Sequence, residues 1–200
     1  MCFHDVNRKP TTVRSFKKGE VIYRQNAFPR FFYELKTGEV QVINSNKSGK
    51  EFIQGIFKAG ECFGVPALIF SQLYPETAIA YTDCEIYITS KEEFIKLLQE
   101  SYLFHFSITQ MLCKQLLYTT MMLEEIAIEE GEHRLLTLIH YLMSQKNSDD
   151  RTLDITKQQL ADMSGLRVET VIRLMKKVED KGMIETKRGS IVCLCNSFSL

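Results

Sequence analysis

The sequence predicts an α+β protein: an antiparallel β jelly roll, then one long helix, then a C-terminal winged helix-turn-helix. Three observations carry this reading. Lys-x-Gly-Glu recurs at Lys17–Glu20, Lys36–Glu39 and Lys58–Glu61, and each copy leads into an alternating or apolar run. From about Leu103 to Glu130 the chain contains neither Gly nor Pro. Between Ile155 and Gly182 two short amphipathic stretches flank Gly165.

Residues 1–13 are polar and are expected to dock loosely. Strands are expected at Val21–Tyr23, Val40–Ile43, Phe52–Phe57, Cys62–Gly64, Ala78–Thr82 and Glu85–Thr89, with Asn44–Lys50 as a hairpin tip. Ser90 reads as the N-cap of a helix, with Glu93 in the capping-box place. In the long Gly/Pro-free segment, Leu112, Leu116, Thr119, Leu123 and Ile126 fall at spacings of 4, 3, 4 and 3. That narrow heptad seam suits a second copy of the chain, so these five residues are the expected homodimer interface. Gly131 marks a hinge, and Glu132–Ser144 is a helix with Leu135, Leu138, Ile139 and Leu142 inward. Gln145–Arg151 reads as a solvated loop.

Thr156 is an N-cap with Gln159 three residues on, and Leu160, Ala161 and Met163 form the apolar face that follows. Gly165 supplies a turn, and a second helix starts near Arg167 with Val171, Leu174, Met175 and Val178 inward. Arg167, Glu169, Thr170, Arg173, Lys176 and Lys177 then face outward. A steep helical pair with an exposed polar second helix offers that helix to a DNA major groove. Lys187–Gly189 reads as a wing before a strand over Ser190–Leu194.

With 44% hydrophobic residues, 200 residues can bury a core. Formal net charge is zero, which excludes a uniformly basic nucleic-acid binder. Charge is uneven, however: residues 151–190 hold nine Lys/Arg against six Asp/Glu, a difference of +3. An acidic block, Glu124, Glu125, Glu129, Glu130 and Glu132, lies just upstream. No apolar run reaches membrane-spanning length and the N-terminus has no signal-peptide core, so a cytoplasmic protein without membrane contact is expected. Six scattered cysteines fit reduced thiols. A jelly-roll metalloenzyme would need clustered histidines, and Val13–Thr89 contains none, so no enzyme is expected.

The residues Ile155-Thr156, Gly165-Leu166, Val168-Glu169-Thr170-Val171, Arg173 and Gly182-Met183-Ile184 resemble the recognition region of the CRP/FNR bacterial transcription regulators. The order of β domain, long helix and winged helix extends the resemblance over nearly the whole chain. It implies a cyclic-nucleotide-binding-like sensor domain over 1–102, a dimerisation helix over 103–130 and a DNA-binding domain over 131–200. It also implies that Glu169 and Arg173 read a G·C pair, the carboxylate accepting from cytosine N4 and the guanidinium donating to guanine N7 and O6. Val168 would touch a thymine methyl. Thr156, Lys157, Gln158, Arg167, Thr170 and Lys176 would hold phosphates, joined by Lys187 and Arg188 of the wing. The implied partners are double-stranded DNA with a two-fold symmetric site, half-sites resembling TTGA or TGA, and RNA polymerase. The chain departs from the family at Ile172, which replaces a small residue, and in the helix that usually precedes the β domain, which is absent or very short.

Gly60-Glu61-Cys62-Phe63-Gly64 resembles the start of the family's phosphate-binding cassette, in which an Arg-Ser pair follows about fifteen residues later. Here that pair is Glu76-Thr77. A carboxylate in the phosphate's place argues against cyclic AMP as effector. The expected effector pocket is Glu61, Phe63, Glu76 and Thr77, with Thr119 and Thr120 from the long helix; Leu68, Ile69, Phe70 and Tyr74 line it or fill it. An iron–sulfur cluster needs four thiolates, and only Cys2 lies near the N-terminus. Cys193-x-Cys195 is expected to be packing rather than a metal site. Haem stays open, with His4, His105, His133 and His140 as candidate ligands. The expected function is a dimeric, sequence-specific DNA-binding regulator under an unknown small-molecule effector. A haem- or redox-responsive regulator of the same fold, and an interaction module that uses no DNA, are the alternatives.

Overall fold

The computed structural model describes residues 12–45, 51–146, 151–187 and 189–194. Its contacts divide the chain into two compact units, Met1–Gln115 and Leu116–Leu200. The division falls inside the long helix.

The first unit is the expected jelly roll. β1 (Thr12–Phe16), β8 (Cys84–Ser90), β3 (Phe31–Thr37) and β6 (Cys62–Phe63) form one sheet in that order. β2 (Val21–Tyr23), β7 (Thr77–Ala80), β4 (Glu39–Ser45) and β5 (Glu51–Lys58) form the other, and every pairing is antiparallel. Inward-facing Phe16, Leu35, Val40, Val42, Ala78, Ala80 and Ile86 fill the space between them. The repeated Lys-x-Gly-Glu has a local cause. In the first and third copies the glutamate side chain accepts from the lysine N–H at 2.7 Å, while its own N–H donates to the lysine carbonyl at 2.9 Å. Glycine at the third place takes φ of 87° and 85°, where a side chain would be strained. In the second copy the glycine also lies so close to the Asp83 carbonyl, 2.4 Å from where a Cβ would stand, that no other residue fits.

The stretch after β6 departs from expectation. Val65–Phe70 folds as a short helix, α1, with Pro66 in its first turn. Its Leu68 is buried, as are Phe63 and Tyr74, whereas Ile69 and Phe70 are exposed. α2 (Lys91–Glu100) starts at Ser90, whose hydroxyl accepts from Glu93 N–H as expected. α2 and the start of α3 (Tyr102–Ile128) are pinned to β3 by three fully buried rings. Phe32 stacks on Phe94 at 4.7 Å, and Phe104 meets both edge-on. Truncating any one of them would cost about 3–5 kcal/mol.

Along α3, Leu112 packs against this aromatic cluster instead of belonging wholly to an outward seam. Leu116 and Leu123 are 65% and 66% exposed, and Thr119 and Ile126 are exposed too. Of the five expected seam residues, the exposed ones therefore begin at Leu116.

The second unit gathers α4 (Gly131–Ser144), α5 (Lys157–Ser164) and α6 (Val168–Asp180) around a small sheet. That sheet is β10 (Ile184–Lys187), β11 (Ser190–Cys193) and β9 (Thr152–Asp154), in this order. β9 was not expected, and it follows directly on the loop predicted up to Arg151. Leu135, Leu138 and Ile139 of α4 are buried, as are Leu160, Met163, Val171, Met175, Val178, Ile184 and Ile191.

Candidate nucleic-acid interface

Local chemistry sets the helical pair. The Thr156 hydroxyl accepts from Gln159 N–H at 3.1 Å, and the Gln159 side chain accepts from Thr156 N–H at 2.8 Å, a complete capping box. Gly165 ends α5 at φ 70°, a left-handed turn that lets α6 leave at a new angle. α6 buries Val171, Met175 and Val178 at spacings of four and three, so its other faces must point outward.

Those faces carry the expected groups. Arg167, Glu169, Arg173 and Lys176 are exposed, and Val168 and Thr170 are half-buried at the start of α6. Among the described residues Glu169 and Arg173 have no ion-pair or hydrogen-bond partner, so neither is engaged in holding the other. On α5, Lys157 is half-buried and Gln158 exposed, its amide donating to Asp162 at 2.9 Å. Thr156 is exposed while its hydroxyl serves as the cap. Lys187 stands exposed at the end of β10, near Glu185 at 3.7 Å, and Arg188 lies outside the described residues. The Glu179 carboxylate accepts from Thr186 N–H at 2.7 Å and so ties the wing strand to α6.

Lys177, outward in the sequence reading, is engaged elsewhere. Glu132 in the first turn of α4 binds both Lys177 and Lys181, the latter at 2.6 Å. The two ammonium groups hold the Glu132 carboxyl below the usual carboxylate range. Part of the acidic block is thus an internal counter-charge for the recognition helix. Beside it, a groove of about 490 Å³ runs between the start of α4 and α6, lined by Glu130, Glu132, Leu166, Thr170 and Arg173 among others.

The expected effector-pocket residues of the first unit have structural partners. The exposed Glu61 carboxylate caps its own turn through Lys58 N–H, and the Thr77 hydroxyl accepts from Gln25 N–H at 3.0 Å. Phe63 is buried against Tyr33, their rings stacked at 5.5 Å, and so fills the core. Glu76 is 7% exposed and accepts from the Tyr23 hydroxyl at 3.2 Å. Burial pushes its carboxyl above the usual range, and the Tyr23 hydrogen bond offsets part of that rise. Tyr23 stacks on Tyr74 at 3.8 Å, and the buried Tyr74 hydroxyl has no partner among the described residues. Thr119 and Thr120 lie beyond residue 115 on exposed positions of α3, and the Thr120 hydroxyl donates back to the Leu116 carbonyl.

The remaining ligand candidates are scattered. His105 and His140 are exposed, His133 is held by Glu125 at 2.9 Å, and His4 lies outside the described residues. Cys193 is buried at the end of β11, and Cys195 lies outside the described residues. Sequence reasoning missed Glu132 and Arg134 as organisers of the helical pair. The signal was present in two basic residues four apart at the C-terminal end of α6, Lys177 and the capping Lys181, with Glu132 in the first turn of α4.

A jelly roll ahead of a winged helix-turn-helix with an outward polar recognition helix defines a DNA-binding transcription regulator. Residues 13–101 match the cyclic nucleotide-binding domain and residues 133–196 the Crp-like helix-turn-helix domain. The chain belongs to the CRP/FNR family of transcription regulators. It is 27% identical over 194 residues to the cAMP-activated global transcriptional regulator CRP of Pasteurella multocida, covering 94% of this chain and 88% of that one. FixK2 of Bradyrhizobium japonicum shares the fold with a TM-score of 0.81 at 18% identity, over 92% of each chain. The c-di-GMP-responsive regulator CLP of Xanthomonas campestris does so with 0.76 at 23% identity, over 92% of this chain and 94% of that one.

Proposed function

We propose that this protein is a homodimeric, sequence-specific transcription factor that docks α6 of each copy in successive major grooves of a two-fold symmetric site. The observation that carries the reading is the exposed, unpartnered Glu169/Arg173 pair, one helical turn apart on a helix whose opposite face is buried. Thr156, Lys157, Gln158, Arg167, Thr170 and Lys176 bind flanking phosphates, and Val168 meets a thymine methyl. The exposed leucines of α3 supply the dimer seam. Such a factor works in the cytoplasm, engages RNA polymerase at its promoters and catalyses no reaction.

The effector is a small molecule other than cyclic AMP, although the Pasteurella relative is cAMP-activated. Glu76 and Thr77 bring a carboxyl and a committed hydroxyl where an anionic phosphate needs a cation. Selection of duplexes from a random pool tests the DNA reading. Enriched half-sites should contain the G·C pair of a TGA core, and enrichment without it would overturn the assignment of Glu169 and Arg173. Calorimetry with cyclic AMP should show no micromolar binding.

A further inference from the structure

Three consecutive side chains in the first turn of α4 each reach beyond their own helix. Glu132 holds Lys177 of α6 and Lys181, the residue that caps that helix. His133 Nδ1 lies 2.9 Å from the Glu125 carboxylate of α3. Arg134 does more than either. Its Nε donates to the Glu125 carbonyl at 3.2 Å, and Nη2 donates to the carbonyls of Ile126 and Glu129, each at 3.3 Å. Its Nη1 donates to the Ser164 carbonyl at 3.4 Å, at the end of α5.

The C-terminal carbonyls of a helix lack intrahelical donors and carry the negative end of its dipole. One planar guanidinium therefore satisfies the ends of two helices together, with donors set in a rigid fork. Its acceptors are all main-chain, so the bond set fixes where the end of α3 stands relative to the turn between α5 and α6. Gly131 permits the close approach, because a Cβ there would come within 3.2 Å of Leu166 Cδ2.

We propose that Arg134 is a positioning residue for operator binding: by joining the end of α3 to the end of α5, it sets the spacing at which a dimer presents its two recognition helices. This rests on the dimeric reading above. Arg134 touches no DNA in this role, and its loss leaves each helix-turn-helix able to bind one half-site.

The test uses two duplexes: a symmetric one enriched by the wild-type protein from a random pool, and the same duplex with one half-site scrambled. Arg134→Gln should lower the ratio of the two affinities about tenfold, within the range of known coupling between sites. Arg134→Lys, which keeps the charge without the fork, should recover part of that ratio. A merely structural role would lower the melting temperature and leave the ratio unchanged, and that result would overturn the proposal. If Arg134→Gln does not fold, Arg134→Lys carries the comparison, with an unchanged ratio again the contrary result. A wild-type protein that binds both duplexes equally would remove the dimeric reading itself, and the role of Arg134 with it.

Discussion

Arg173 and Lys176 stand three residues apart on α6, both exposed, yet they should fail differently when removed. If Arg173 reads a base as proposed, Arg173→Ala should cost about 1–3 kcal/mol of discrimination at one base pair. If Lys176 holds a phosphate as proposed, Lys176→Ala should weaken all sequences alike, flattening the salt slope by about one unit. Anisotropy titrations at graded salt on matched and mutated duplexes separate the two. His133 carries a different prediction. The Glu125 carboxylate beside it, aided by Glu129 at 3.9 Å, holds its imidazole above the ordinary range against a smaller opposing effect of burial. A folded-state pKa above the unfolded value of about 6.5 means the pair stabilises fully at lower pH. That contribution is lost as pH rises through the folded-state value. His133→Gln should therefore destabilise more at pH 5.5 than at pH 9 in urea melts, modestly, since the ring is a third exposed.

The helical pair was legible as an element because its signals are local. A hydroxyl followed three residues later by glutamine, then a glycine, fixes start and stop within one turn of chain. Thr156→Ala removes the hydroxyl that accepts from Gln159 N–H, leaving only the backbone half of the capping box, and should cost about 1 kcal/mol, read as a lower melting temperature for the second unit. α1 and β9 were not legible for the opposite reason. Val65–Phe70 is a short apolar run that suits a strand or pocket lining as well as a helix, and only Gly64 at φ 71° and the buried seat of Leu68 decide it. Thr152–Asp154 has three residues and becomes a strand because Ser190–Val192 pairs with it from nearly forty residues away.

For the whole molecule the sharpest question is what covers α3. Leu116, Leu123 and Ile126 stay exposed in the single chain, in a pattern that suits a helical partner. Leu116→Glu with Leu123→Glu should place like charges in a dimer seam and shift sedimentation from dimer to monomer, with DNA affinity falling in parallel. The same change on a chain that is always monomeric would leave both readouts unmoved. Leu112 is expected in that seam by its spacing, which says only which face it lies on, and in the structure it also packs against the neighbouring Phe94–Phe104 cluster.

The sequence by itself determined the order of elements, the turns, the caps and the outward face of α6, because each follows from neighbours within a few residues. Even the Glu76-Thr77 departure was readable as a change of residue type. Only the tertiary structure decided what those side chains meet: Glu61 closing its own turn, Glu76 bound to Tyr23, Glu132 holding two lysines, and Arg134 joining two helix ends. Apart from Glu61, whose turn is local, these partners lie five to fifty-three residues apart along the chain. Hydrophobic periodicity records which face of an element is buried, but not which distant polar group arrives beside it.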